Sequence, residues 1–110
     1  RGTYLVPTLI ILEEIVRDGE RKGVPAYSIA KARAIAADRR VRLRAAYRAG
    51  VKFALGTDAT SDIHGRNGEE FRYMVDILGA TPMQAIRAAT IDAATLLGVE
   101  RDFGSLETGK

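Results

Sequence analysis

The 110-residue chain has no cysteine and no tryptophan, one histidine, three prolines and few aromatic residues. Without cysteine there is no disulfide framework, no thiolate nucleophile and no Cys-based zinc site, so any metal ion must be bound by oxygen or imidazole. The same absence fits any redox compartment and leaves localisation open. No apolar run approaches the ~18 residues that cross a bilayer, and no charged-then-apolar leader opens the chain, so a membrane role is not expected. What remains, 46% hydrophobic and 28% charged residues, is the composition of a soluble, helix-rich globular protein. The net charge of +3 is modest, and much of the excess lies in one segment.

Residues 51–58, Val-Lys-Phe-Ala-Leu-Gly-Thr-Asp, organise the reading. Val51, Phe53, Ala54 and Leu55 form a short apolar run between Gly50 and Gly56, which suits a strand covered on both faces as in a parallel sheet. Asp58 then falls at the carboxyl end of that strand, where parallel sheets with helical crossovers gather their catalytic groups. Upstream, Thr3 to Thr8 reads as another strand, with Pro7 placed where a missing N–H matters least.

Between the two strands the periodicity predicts two helices. Leu9, Leu12, Ile15 and Val16 make an apolar stripe ending near Asp18-Gly19, with Glu13 and Glu14 expected on the outer side. Gly23-Val24-Pro25 is a turn, and Ser28 is expected to cap a long helix from about Ile29 to Ala49. In that helix Ala30, Ala34, Ala37, Val41 and Ala45 form a small-residue stripe suited to close packing. Arg33, Arg39, Arg40, Arg42, Arg44, Arg48 and Lys31 crowd its other faces. A phosphate-binding surface would want aromatic interleaving or a reading-head motif, and neither is present, so these charges read as a solvated face and nucleic acid is not an expected partner.

After Asp58 a polar loop over 59–68 carries Asp62 and His64-Gly65, in the position where substrate contacts gather. Phe71, Met74, Val75 and Leu78 then follow helical spacing up to a C-terminal Gly79. Thr81-Pro82 is a strong helix start, and Thr90 is expected to cap a last helix holding Ile91, Ala94 and Leu97. Strand, helical crossover and strand form a parallel βαβ unit, expected to be right-handed. Two strands cannot bury both faces of a sheet. Neighbours are therefore expected from upstream sequence or from another copy, and both ends of the chain read as cut from a longer protein.

Taken in order, Pro7-Thr8-Leu9, the 50–58 segment, His64-Gly65, Thr81 to Thr90 with Ala93-Ala94 and Leu97-Gly98, and Gly104 to Lys110 resemble the C-terminal part of metal-dependent amidohydrolases. The likeness is closest to the imidazolonepropionase and Xaa-Pro or Xaa-Arg dipeptidase-like branch. The resemblance implies an α/β fold, the last two strand-helix units of a (β/α)8 TIM-type barrel, with residues 1–110 as its C-terminal portion. It also implies a divalent metal, zinc in one or two ions, with most ligands outside this chain. On that resemblance Asp58 is both metal ligand and proton acceptor, while His64, Thr57 and Thr8 are candidates for substrate contact or for supporting hydroxyls.

The function expected is hydrolysis of an amide bond, with a dipeptide or other peptide-like small molecule favoured over a cyclic amide. The isolated 110 residues should be inactive. Expected partners are the substrate, the upstream remainder of the barrel, and other copies through self-association. The rival reading is a non-catalytic helical interaction module with an Arg-rich surface, in which Asp58 is a structural cap.

Overall fold

The computed structural model describes residues 2–60 and 62–110; Arg1, where the reading of a cut N-terminus rests, and Ser61, within the predicted loop, lie outside the described residues. Strand β1 (Tyr4–Leu5) leads into helix α1 (Leu9–Asp18), and α2 (Ala26–Arg48) returns to strand β2 (Lys52–Phe53). Helix α3 (Glu69–Tyr73) runs on as a π turn (Met74–Leu78), followed by α4 (Pro82–Ala89) and α5 (Ile91–Leu97). The strands pair in parallel, Tyr4 opposite Lys52 and Leu5 opposite Phe53, which is the βαβ unit read from the sequence.

Both strands are shorter than the apolar runs that announced them. Ala54 still donates to the Leu5 carbonyl at 3.1 Å, but the Leu55 N–H turns to the Ala88 carbonyl of α4 at 2.9 Å. Pro7 has no N–H to give, and Thr8 leaves extended backbone altogether. Phe53 and the following Ala54 are both buried, whereas Lys52 of β2 is exposed. Val6 and Val51 are not covered, at 42% and 40% exposure.

The core gathers Leu9 and Ile10 of α1, Phe53, Ile63, Tyr73 to Leu78 in part, and Ala85 and Ala88 of α4. Tyr47 of α2 meets Phe53 edge-on, ring centres 5.5 Å apart. Gly79 takes a left-handed conformation (φ 78°) that closes the π turn as predicted. Thr81 and Gln84 form a reciprocal capping box at the start of α4.

Four local expectations are corrected. Glu13 and Glu14 do not lie outside: α1 buries Leu9, Ile10, Glu13 and Glu14 together, and leaves Leu12, Ile15 and Val16 half-buried. Cations on other segments make this burial tolerable, Arg40 for Glu13, and Lys22 and Arg66 for Glu14. In α2 the predicted alanine stripe and Val41 are exposed, and the packed face is Ile29, Ala32, Leu43, Ala46 and Tyr47. That helix begins at Ala26 after Pro25, which pre-sets the turn, so Ser28 falls inside it rather than at its cap. Thr90 stands at the N-cap position of α5 but makes no side-chain cap bond; its hydroxyl donates back to the Ile86 carbonyl at 2.8 Å.

The arginines of α2 are not simply a solvated face. Arg44 donates to the Ile77 and Asp76 carbonyls at 2.8 and 2.6 Å, satisfying the end of the π turn. Arg40 pairs with Glu13, and Arg39 donates to the Pro7 carbonyl. Arg33 and Arg42 form exposed pairs with Glu20 and Asp38.

Candidate active site at the strand ends

Parallel pairing puts the carboxyl ends of β1 and β2 side by side. The two segments are still in contact beyond the ladder: a Cβ on Gly56 would stand 2.6 Å from Cγ1 of Val6, so any larger residue there requires the Val6 side chain or the backbone to shift. Thr57 and Asp58 follow that contact on one segment, and Pro7 and Thr8 follow it on the other. Among the described residues the two non-glycine positions with positive φ are Thr8 (43°) and Asp58 (50°). Left-handed backbone is tolerated by aspartate but is a genuine outlier for a β-branched residue, and such outliers cluster at functional sites.

Thr8 and Thr57 are half-buried, while Asp58 is exposed. The acid of the following loop that finds partners is Asp62, which accepts from Thr60 Oγ1 at 2.6 Å and pairs with Lys22 Nζ at 2.7 Å. Among the described residues no hydrogen bond or ion pair is made to the Asp58 carboxylate. His64 is exposed on the turn after Ile63, whose side chain is buried. The fold thus brings Thr8, Thr57 and Asp58 to one rim and sets His64 on the loop that leaves it.

That loop is anchored by charges the sequence did not mark as a group. Glu14, 2% exposed, accepts from Arg66 at 2.9 and 3.2 Å, from Lys22 at 2.8 Å and from Arg17. Arg66 also chelates Glu69 at 2.7 and 2.8 Å. The hydrogen bonds from Arg66, reinforced by Lys22 and Arg17 against the cost of burial, hold the Glu14 carboxyl down at about 2. Lys22 and Thr60 do the same for Asp62, also at about 2. Both acids are therefore fully ionised through the neutral range and serve as fixed anchors for residues 62–66.

A second buried acid serves the rim itself. Glu70, 0% exposed, accepts the N–H of Leu9 at 2.7 Å and of Ile10 at 2.8 Å, so α1 is capped from another helix while Thr8 gives no cap bond. Burial pushes the Glu70 carboxyl up, opposed by those two N–H groups and by Arg39. Glu70 lies in phase with the buried Tyr73, Met74 and Ile77, so an acid on the apolar face of a short helix was the available signal for it.

Fit to a metal ion follows from the donor set. An exposed carboxylate presents its lone pairs to a cation, so Asp58 suits one coordination position. Among the described residues no three His, Asp or Glu side chains gather to hold a metal ion, and further ligands have to come from elsewhere.

The chain belongs to the amidohydrolase family, whose model matches residues 1–110. It is 33% identical over 110 residues to ochratoxinase of Aspergillus niger, covering 99% of this chain and 22% of that protein. It is 42% identical over 99 residues to an uncharacterised protein of Mycobacterium tuberculosis, covering 88% and 26%. Among solved structures, a Xaa-Pro dipeptidase with methionine bound in its active site matches with 40% identity and a TM-score of 0.83, over 99% of this chain and 27% of that one. A prolidase complexed with N-methylphosphonate-L-proline matches with 30% identity and a TM-score of 0.85, over 98% and 26%. The fold neighbours are amidohydrolases of TIM-barrel type, and this chain spans about a quarter of the length of the relatives it matches. The family match bears out the sequence resemblance and disfavours the helical interaction module.

Proposed function

We propose that residues 1–110 supply the last two strand-helix units of a (β/α)8 barrel and that Asp58 is a metal ligand and general base for amide hydrolysis in the full-length protein. The observation that carries this reading is the position of Asp58, exposed and held at φ 50° beyond the carboxyl end of a parallel strand. The divalent ion, zinc in this reading, supplies Lewis acidity that polarises the scissile carbonyl and acidifies water. Asp58 accepts the proton of the attacking water and returns it to the leaving amine. Thr8 and Thr57 flank it as supporting hydroxyls, and His64 contacts substrate from the loop. The names of the neighbouring Xaa-Pro dipeptidase and prolidase support a peptide-like substrate over a cyclic amide.

The test is turnover of a dipeptide panel and of cyclic amides by the full-length protein loaded with zinc, with metal content measured on each variant. Asp58→Asn keeps shape and removes the base, so kcat should fall by ~10²- to 10⁴-fold with a smaller change in KM. Near-normal turnover by zinc-loaded Asp58→Asn returns Asp58 to a structural role. Faster turnover of cyclic amides than of dipeptides overturns the substrate reading alone.

A further inference from the structure

The turn from β1 into α1 is gripped on both sides of Thr8 by residues far away in the chain. Arg39 of α2 donates to the Pro7 carbonyl and, at 3.5 Å, weakly to the Thr8 carbonyl. Glu70 of α3 accepts the next two amides, Leu9 at 2.7 Å and Ile10 at 2.8 Å. Both Glu70 oxygens receive an N–H, whereas a glutamine there would set the hydrogens of its amide NH2 against one of them. Arg39 and Glu70 also attract one another across the turn. Thr8, at φ 43° and ψ 58°, is a β-branched residue in a conformation that such residues hold only at a steric cost. Glu70 stands on the helix into which the Asp58 loop runs, so the same carboxylate ties the return of that loop to the end of the neighbouring strand.

Resting on the reading of Asp58 given above, we propose that Glu70 and Arg39 are positioning residues that act through Thr8. They hold it in the left-handed region and thereby fix the strand end that flanks Asp58. Neither touches substrate. Glycine adopts positive φ without steric cost, so Thr8→Gly should make the clamp less necessary, whereas it would do nothing for a Glu70 that merely caps a helix.

The experiment is a cycle in the full-length, zinc-loaded protein: Glu70→Gln, Thr8→Gly and the double variant, with kcat, KM and zinc content measured for each. Glu70→Gln should lower kcat by about 10- to 100-fold with KM changed less than about threefold, since small misplacements at a reacting centre have effects of that size. Because Thr8→Gly also removes a hydroxyl of the site, recovery is read within the cycle: the kcat loss from Glu70→Gln should be at least about fivefold smaller in the Thr8→Gly background than in the wild type. Wild-type kcat in Glu70→Gln, or no recovery in the double variant, overturns the proposal. Should Glu70→Gln not fold, Arg39→Lys removes the guanidinium fork from the same turn and must show the same loss and the same recovery. The crystal structure of whichever single variant folds, Glu70→Gln or Arg39→Lys, supplies a readout independent of turnover: Thr8 should leave the left-handed region, and Thr8 remaining near φ 43° overturns the positioning role even if Asp58→Asn confirms the base. Full turnover by Asp58→Asn refutes the base alone, because the Thr8 conformation is read without it.

Discussion

Replacing Glu14 by glutamine removes one charge from among three cations without changing side-chain volume. The carboxyl is held at about 2 against an ordinary 4.5, which at ~1.4 kcal/mol per pH unit bounds the stabilisation near 3 kcal/mol. Two features reduce that bound. Side-chain exposure of Arg17, Lys22 and Arg66 is 46%, 20% and 36%, so solvent screens their charges. Each also keeps a second acid, Asp18, Asp62 and Glu69 respectively. We therefore expect Glu14→Gln to destabilise the full-length protein by about 1–2 kcal/mol in urea unfolding, and amide exchange over residues 62–68 to speed up by a matching factor. Because the folded-state value lies below the unfolded one, the contribution is present above pH 4.5 and disappears as pH falls through about 2. Wild-type and Glu14→Gln stabilities should therefore converge over that window. A difference below about 0.3 kcal/mol at pH 7, or one that persists unchanged at pH 2, would refute the anchoring role.

Two other expectations concern the rim and the exposed faces. Gly56→Ala puts a methyl group 2.6 Å from Val6 Cγ1, so either the Val6 side chain turns aside or the strand ends separate; we expect a loss of about 1–3 kcal/mol in thermal unfolding together with reduced turnover, and an unperturbed variant would show that the approach is not required. The isolated chain, with Val6, Val51, Leu97 and Leu106 exposed, should self-associate in sedimentation at micromolar concentration, and a cooperatively unfolding monomer would contradict this.

The elements were legible where their causes are local. Thr81-Pro82 with Gln84 spells out a capping box, Gly79 marks a left-handed stop, and the apolar run ending at Gly56 marks a strand. The place of Asp58 beyond the carboxyl end of β2 was legible because the apolar run stops at Gly56 two residues before it. What escaped was decided by partners remote in sequence. Glu14 reads as an outer-face acid until Arg66 is brought to it from 52 residues away. The alanines of α2 read as a packing stripe because their spacing is right, yet Leu43, Ala46 and Tyr47 meet the core instead. Glu70 drew no reading from the sequence, and nothing local says that the helix N-terminus it serves is that of α1.

Glu70 reaches Leu9 and Ile10 across 61 and 60 residues, the widest closures among the side-chain bonds described here. Joining segments so far apart costs chain entropy before any contact returns it, so structures that depend on them assemble late. The helices, the capping box and the Gly79 stop need only their neighbours, whereas the Thr8 turn waits for α3 to dock. We expect the backbone flanking Asp58 to be the last part of this chain to take shape during folding, and a partly folded chain to hold well-formed helices around an unfinished rim. A folding intermediate of this protein would then carry native helical signal and no hydrolytic competence.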